Sequence, residues 1–197
     1  MKEFIFSVLD FLSQLGYFGI ALGLMIEIIP SELVLGYGGY MISLGKINFV
    51  GAVIAGTIGG TLAQLFLYWA GYYGGRPFLE KYGKYVMIKK KHIDVAEHWF
   101  EKYGVGVIFT ARFIPVVRHA ISIPAGIAKM SGLKFTLYTV AAIIPWTILF
   151  LVLGKTLGAN WSHIKEAAQP YVMPLLIAAI VLGVIYFLIK KTKKTTD

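Results

Sequence analysis

The sequence predicts an all-α integral membrane protein built on an inverted repeat, and three observations lead to this fold class. First, 57% of the 197 residues are hydrophobic and 15% are charged, whereas soluble domains carry about 25% charged residues. Second, several stretches of membrane-spanning length contain no charge. Third, two parts of the chain share one arrangement of glycine, proline and charged residues. A soluble domain is excluded, and residues 1–197 are interpreted as a single membrane domain.

The net charge of +9 does not indicate nucleic-acid binding. Lysine and arginine cluster beside apolar segments, where they orient helices in the bilayer and contact anionic lipids. No nucleic-acid recognition module can be identified. Cysteine is absent, so disulfides, thiol catalysis and iron–sulfur clusters are excluded.

The chain begins with an amphipathic segment that precedes a clear spanning helix. Residues 1–15 mix aromatic and aliphatic side chains with Asp10 and Gln14, which favours a helix lying in the membrane interface. Residues 47–75 contain no charge and predict a transmembrane helix. Small residues that let another helix approach closely recur at every fourth position in this run. They are Gly51, Ala55, Gly59 and Ala63.

Residues 16–45 predict a re-entrant hairpin rather than a complete crossing. A hydrocarbon core of about 30 Å needs about 20 apolar helical residues, but this stretch is interrupted by Glu27, Pro30 and Glu32. Irregular backbone at membrane depth is tolerated only where protein buries it or where it lines a cavity. We therefore expect the hairpin to break at Pro30, with both acids at its tip.

The second half of the chain repeats this plan. Residues 76–102 form a basic segment, which predicts a cytoplasmic loop because lysine and arginine favour that side. Residues 103–128 predict a second re-entrant hairpin, and residues 135–154 and 171–189 predict two transmembrane helices. Four lysines after the last span predict a cytoplasmic C-terminus. They are Lys190, Lys191, Lys193 and Lys194.

Arg112 and Arg118 are the only Lys, Arg, Asp or Glu residues within 103–128. Each would cost about 2.5–3.5 kcal/mol at the centre of a lipid-exposed helix, so we do not expect them to face lipid. On an unbroken helix, a spacing of six residues rotates the two side chains apart by about 240°. Pro115 and Pro124 are therefore the predicted breaks of the second hairpin, and unwinding at Pro115 would direct both arginines into one cavity.

A constant offset of 85 residues relates the two hairpins, with glycine, charged and proline positions in the same order. It pairs Gly19 with Gly104, Glu27 with Arg112, and Pro30 with Pro115. A hairpin plus one spanning helix makes one net crossing, so the second copy enters the membrane in the opposite orientation. Inverted repeats of this kind are typical of secondary transporters, whose broken segments meet near the midplane at the substrate site.

The two hairpins therefore predict one site with two carboxylates, Glu27 and Glu32, and two guanidinium groups, Arg112 and Arg118. These charges could pair only to hold the hairpins together, but apolar packing often stabilises a fold at least as well as a buried ion pair. Guanidinium groups fit phosphate, and a carboxylate in a poorly hydrated cavity can take up a proton. The pattern predicts phosphate binding by the arginines and proton coupling by the glutamates.

The remaining polar residues do not indicate catalysis. His119 is interpreted as a local hydrogen-bond partner of Arg118 rather than as a proton relay. His92 and His98 lie in the basic segment without other ligands at metal-binding spacing, so no metal site is predicted. No nucleophile–base arrangement can be identified. The sequence predicts neither an enzyme nor a cofactor.

Three motifs resemble the DedA family, also called the SNARE-associated or VTT-domain membrane proteins. The motifs are Glu27-x-x-Pro30-Ser-Glu32, the run 74–83 and the run 109–126, within a resemblance that covers roughly 16–158. The resemblance implies two opposed re-entrant hairpins and a role in moving lipids across the bilayer; bacterial members include undecaprenyl-phosphate translocases. It also implies that the essential acids correspond to Glu27 and Glu32, and the essential arginines to Arg112 and Arg118.

The sequence as a whole thus predicts a multi-pass lipid transporter of the cell membrane. Its expected activity is to move undecaprenyl phosphate, or a similar polyprenyl-phosphate carrier, from the outer to the cytoplasmic leaflet with the help of the proton gradient, in support of cell-wall synthesis. The expected partners are this lipid, protons and the bilayer. The alternatives are a flippase or scramblase for a phospholipid such as phosphatidylethanolamine, a non-transporting membrane scaffold, and an enzyme acting on lipid phosphates.

Overall fold

The computed structural model describes residues 2–75, 94, 98, 107–114, 117–164, 166–174, 177, 178 and 181, and its regular elements there are helical. A π-helical turn, Ala70–Gly74, extends α4, and a 3₁₀ helix, Gly158–His163, follows α8. The α-helices are α1 (Lys2–Gln14), α2 (Tyr17–Ile26), α3 (Ser31–Ser43), α4 (Phe49–Trp69), α5 (Val107–Ala111), α6 (Val117–Ala120), α7 (Ser122–Ile127) and α8 (Gly132–Leu157).

Within the described residues, two helical stretches are long and apolar enough to cross a membrane. They are Phe49–Gly74, with 26 residues, and Gly132–His163, with 32 residues. The first overlaps the span predicted at 47–75. The second begins three residues before the span predicted at 135–154, because Lys134 is accommodated in the first turn of α8. Long basic side chains at a helix end can reach the interface while their stems remain in the apolar region.

Several predicted segments fall largely or wholly outside the described residues. The basic loop at 76–102 contributes only residues 94 and 98 to the described part of the chain. The last predicted span, 171–189, contributes residues 171–174, 177, 178 and 181, which are helical. Pro115 also lies outside the described residues. The cytoplasmic C-terminus therefore stays a prediction.

The described residues divide into two compact units, and the interpretation of the chain as a single membrane domain stays a prediction. The first unit lies within Met1–Ala63 and Ile143–Val172, and the second lies within Gln64–Ala142 and Met173–Asp197. Each unit has an apolar core of its own. In the first unit this core includes Leu9, Leu24, Leu35, Phe150 and Ile164. In the second unit it includes Tyr68, Ile108, Ile121 and Phe135.

In the first unit, α2 and α3 form an antiparallel pair joined by a break at 27–30. A Cβ added at Gly23 would lie 3.0 Å from Val34, and one added at Gly38 would lie 3.1 Å from Ile20. Contacts at higher residue numbers in α3 are made with lower residue numbers in α2, so the two helices run antiparallel. At 1.5 Å per residue the helices are about 15 and 20 Å long, less than a hydrocarbon core of about 30 Å. These lengths are compatible with the hairpin predicted at 16–45, whose re-entrant insertion stays a prediction.

In the second unit, α7 packs closely against the π-helical turn because both carry glycine at the contact. A Cβ at Gly71 would collide with the carbonyl oxygen of Ile123, and a Cβ at Gly126 would collide with that of Tyr68. The Tyr68 hydroxyl donates a hydrogen bond of 2.5 Å to the carbonyl oxygen of Met130, just beyond α7. These contacts hold α7, which follows Arg118 in the chain, against the C-terminal end of α4 and its π-helical turn.

Two of the three prolines predicted to break the hairpins can be located. Pro30 immediately precedes α3, where its φ of −51° suits the residue that leads into a helix. Pro124 lies inside α7, and it has no N–H to donate to the carbonyl of Ala120. That hydrogen bond is therefore missing, whereas the Ile121 N–H still donates to the carbonyl oxygen of Val117 at 2.9 Å, and φ of −64° and ψ of −22° at Ile121 keep the chain direction helical. Pro124 therefore interrupts the bonding pattern without turning the chain.

Candidate functional site

Arg112 lies at the first position after α5, and its side chain is only 6% exposed. One terminal nitrogen, Nη1, donates to Gln64 Oε1 at 2.6 Å, to Ser122 Oγ at 3.0 Å and to the carbonyl oxygen of Arg118. The other, Nη2, donates to Thr139 Oγ1 at 3.0 Å. These four acceptors are uncharged, and together they orient the guanidinium group.

The groups that hold Arg112 come from different helices. Gln64 belongs to α4, Ser122 to α7 and Thr139 to α8. The ring of Phe135, also on α8, lies 5.4 Å from the guanidinium carbon and adds a cation–π contact. The position of this cation is therefore set by tertiary packing, because no single helix supplies its surroundings.

Arg118 lies on α6, and the structure brings it next to Arg112 through the main chain. Its carbonyl oxygen accepts from the Arg112 side chain. Its own half-buried side chain donates from Nε to Nε2 of His119 at 2.8 Å. His119 thus has the local hydrogen-bonding role that the sequence indicated. A turn at 112–114 follows α5, and the break predicted at Pro115 itself stays a prediction.

Gln64 connects the two arginines, and the sequence analysis missed it. Its Oε1 accepts from Arg112 and, at 2.9 Å, from the Ser122 hydroxyl. Its Nε2 lies 3.0 Å from Nδ1 of His119. A signal was present, since Gln64 is the only glutamine in the uncharged run 47–75, and strongly polar side chains inside a membrane indicate function.

Ser122 and Thr139 were also missed, for a different reason. Both are fully buried, but serine and threonine are common in membrane helices and carry no distinctive pattern. We call Arg112, Arg118 and their polar contacts the arginine network. Besides the two arginines, its members are Gln64, His119, Ser122 and Thr139.

The two predicted acids lie at the break between α2 and α3. Glu27 ends α2 in a left-handed conformation, with φ of 53° and ψ of 23°, and it is exposed. That conformation costs a non-glycine residue about 1–2 kcal/mol, and such strain is often found at functional sites. Glu32 is half-buried in the first turn of α3, where a carboxylate interacts favourably with the helix dipole.

The acids lie in the first unit and the arginines in the second, so the predicted site shared by all four charges stays a prediction. In the part of the chain that the structure describes, no group of three or more His, Asp or Glu residues is placed to hold a metal ion. His92 lies outside that part of the chain.

The fold and the arginine network define a helical membrane protein with a buried cationic cluster. A family model described as the VTT domain matches residues 29–156, a range that includes Glu32, Arg112 and Arg118 and begins just after Glu27. The match covers more than half of the chain. The chain therefore belongs to the VTT-domain family, the DedA family that its motifs indicated.

Relatives extend the similarity to nearly the whole chain. Undecaprenyl phosphate transporter A of Bacillus subtilis is 63% identical over 191 residues, which cover 97% of this chain and 96% of the relative. Undecaprenyl phosphate transporter A of Staphylococcus aureus is 30% identical, over 93% and 94% of the two chains. A Lactococcus lactis protein named alkaline phosphatase-like is 39% identical, over 95% and 89%. No solved structure matches the chain significantly.

Proposed function

We propose that this protein carries undecaprenyl phosphate, or a similar polyprenyl-phosphate lipid, from the outer to the cytoplasmic leaflet of the cell membrane. One observation carries the proposal: Arg112 is buried and oriented by four uncharged acceptors, one of which is the backbone of Arg118. A phosphate headgroup is an anion that a guanidinium group binds well. The names of the two transporter relatives support the choice of this lipid.

In this proposal the two arginines bind the phosphate with different tasks. Arg118 is half-buried and turns its donors towards the headgroup. Arg112 is buried, and protein acceptors occupy most of its donors. In this proposal it contributes to phosphate binding through its positive potential and by holding the Arg118 backbone in place. A charge in a poorly hydrated interior acts more strongly than the same charge in water.

Glu27 and Glu32 supply the proposed proton coupling. Glu27 is exposed at the break between α2 and α3, where a carboxylate can exchange protons with water. Proton uptake drives transport only if two conformations of the protein differ in their affinity for the proton or the lipid. Inward movement with the proton gradient would return the carrier lipid to the leaflet where cell-wall precursors are made.

Transport in vesicles tests the arginine assignment. Purified protein is reconstituted in liposomes with a fluorescent polyprenyl phosphate, and the rate of its transfer between leaflets is measured. We expect Arg118→Gln to slow transfer at least about tenfold, as for the loss of a charge-assisted hydrogen bond. Lys134→Gln is the control because it removes one exposed positive charge from α8. Unchanged transfer by Arg118→Gln would contradict the proposed phosphate site.

The same vesicles test the acids and the remaining transport alternative. An imposed pH gradient should accelerate transfer by the wild type and leave Glu27→Gln unaffected. Labelled phosphatidylethanolamine, which also carries a phosphate, is measured in parallel. If phosphatidylethanolamine is transferred faster than the polyprenyl phosphate, the substrate is a phospholipid and not the polyprenyl carrier. If neither lipid moves and cells carrying Glu27→Gln with both arginines replaced grow normally, the protein is a scaffold.

Phosphoester hydrolysis is a second candidate because one relative is named alkaline phosphatase-like. The described part of the network does not favour it. The Ser122 hydroxyl donates to Gln64 and accepts from Arg112, while the His119 imidazole contacts Arg118 and Gln64. The relatives named for transport support a transporter rather than an enzyme. We expect no phosphate release from a polyprenyl diphosphate; release that depends on Ser122 would favour the enzyme.

A further inference from the structure

Both ring nitrogens of His119 have a nitrogen donor at hydrogen-bonding distance. Nε2 lies 2.8 Å from Nε of Arg118, and Nδ1 lies 3.0 Å from Nε2 of Gln64. A guanidinium Nε always carries a hydrogen, and an amide nitrogen carries two. The histidine is therefore placed between two groups that can only donate.

The orientation of the Gln64 amide is fixed by Arg112. A guanidinium group has no acceptor, so the group facing Arg112 Nη1 at 2.6 Å must be the amide oxygen. The Ser122 hydroxyl donates to the same oxygen at 2.9 Å. Exchanging the amide oxygen and nitrogen would set two donors against each other at the Arg112 contact. The nitrogen of Gln64 must therefore face the imidazole.

A neutral imidazole has one nitrogen that accepts and one that carries a proton. His119 can accept from Arg118 through Nε2, or from Gln64 through Nδ1, but not from both. In either case, the protonated nitrogen is left opposite a donor. The two contacts are thus alternative hydrogen bonds, and the network has two arrangements of one proton.

We propose that His119 switches Arg118 between a held and a released state, that a lipid phosphate selects the released state, and that the imidazole then contacts the phosphate directly. In the held state, Nε2 accepts from Arg118. In the released state, Nδ1 accepts from Gln64, and the Nε2 proton and the Arg118 Nε proton both require an acceptor. A phosphate oxygen accepts from both. The headgroup thereby gains an imidazole donor beside the guanidinium group. This inference rests on the proposed function.

The position of the imidazole proton is directly measurable. The full-length protein, labelled with ¹⁵N-histidine and held in nanodiscs, is observed by NMR, with the His119 signals identified by their loss in His119→Gln. We expect Nδ1 to carry the proton without ligand and Nε2 to carry it after addition of farnesyl phosphate. Farnesol, which lacks the phosphate, should cause no change. If the imidazole proton stays on the same nitrogen when farnesyl phosphate binds, the proposed switch is wrong. This would be the result if water already served as the acceptor.

Affinity for farnesyl phosphate gives a second readout. His119→Phe keeps the ring shape but removes both nitrogens, and we expect affinity to fall about tenfold, the equivalent of one hydrogen bond. His119→Gln should retain affinity within about threefold, because its amide offers both an acceptor and a donor. In an Arg118→Gln background, the change to Phe should have little further effect, since interacting residues are not additive. Full additivity would contradict the coupling.

The outcomes separate this inference from the proposed function. If the wild type and Arg118→Gln bind farnesyl phosphate equally well, the proposed phosphate site fails. If Arg118→Gln loses binding while His119→Phe binds as the wild type does, the site stands and the switch fails. A purely structural histidine would lower the melting temperature of His119→Phe without changing the affinity of the folded protein. Should that variant not fold, the NMR measurement on the wild type and the affinity of His119→Gln still decide.

Discussion

The break that carries the acids and the turn that carries the arginines differ in burial and in backbone conformation. Arg112 is 6% exposed, and side chains from three other helices orient it. Glu27 is exposed, and its backbone conformation is left-handed. Side-chain hydrogen bonds within the second unit therefore orient the arginine turn, whereas the acid break within the first unit carries an exposed residue in a left-handed conformation.

This difference suits the two proposed tasks. An anion site binds best when its donors are oriented before the ligand arrives, because little ordering remains to be done on binding. A group that exchanges protons needs access to water instead. The buried arginine network meets the first requirement, and the exposed Glu27 meets the second. The comparison can be tested by changing each feature separately.

Removing the Arg112 charge should have the largest effect on stability. Arg112→Gln removes the donor that Thr139 Oγ1 has in Arg112 and one of the two donors of Gln64 Oε1, and the loss of a buried hydrogen-bond partner costs about 1–3 kcal/mol. We expect the free energy of unfolding in detergent to fall by about 3 kcal/mol. Lys134→Gln, which removes an exposed charge, should change it by less than about 0.5 kcal/mol. If Arg112→Gln and Lys134→Gln are equally stable, the arginine network does not stabilise the second unit.

Filling the close contact beside the network should have the next largest effect. Gly126→Ala puts a methyl group against the carbonyl oxygen of Tyr68, and overpacking of this kind costs about 1–3 kcal/mol. Gly60→Ala is the matched control, because its methyl group would lie 3.4 Å from Ile143, an acceptable contact. Thermal unfolding should show a lower melting temperature for Gly126→Ala alone. A similar change in both variants would contradict the assigned contact.

Changing the charge at Gln64 should separate binding from stability. Gln64→Glu keeps the oxygen that accepts from Arg112 but adds a negative charge, so we expect a folded protein whose affinity for farnesyl phosphate is about tenfold lower. Gln64→Met removes the polar atoms without adding charge and should instead lower stability by about 1–3 kcal/mol. Calorimetric binding and thermal unfolding measure the two effects. The prediction fails if Gln64→Glu binds the phosphate as tightly as the wild type.

Relaxing the backbone at Glu27 should have the smallest effect, and it should be favourable. Glu27→Gly accepts the left-handed conformation at φ of 53° without strain, and we expect a gain of up to about 1 kcal/mol. Glu27→Gln keeps the strain and should not raise the melting temperature. Both variants should lose the response to a pH gradient, because both lack the carboxylate. A response that survives in both would remove Glu27 from the coupling mechanism.

The features that could be predicted from the sequence are those with a local signal. A charge in an apolar run stands out because burying it is costly, so Arg112 and Arg118 were recognised without a structure. Two spanning helices were recognised because uncharged runs of that length are typical of membrane segments. The family followed from motifs that are contiguous in the chain, and the VTT-domain match at 29–156 confirms it.

The surroundings of those charges were decided only by the tertiary structure. Gln64 and Thr139 lie 48 and 27 residues from Arg112 in sequence, and Ser122 lies 10 residues away on another helix. No local pattern specifies which uncharged side chain will meet a guanidinium group. The donors on both sides of His119 depend on how α4 packs against α6, which spacing alone does not reveal. The sequence thus determined that the second half carries two cations that are costly to bury, whereas packing decided that Gln64, Ser122 and Thr139 contact one of them.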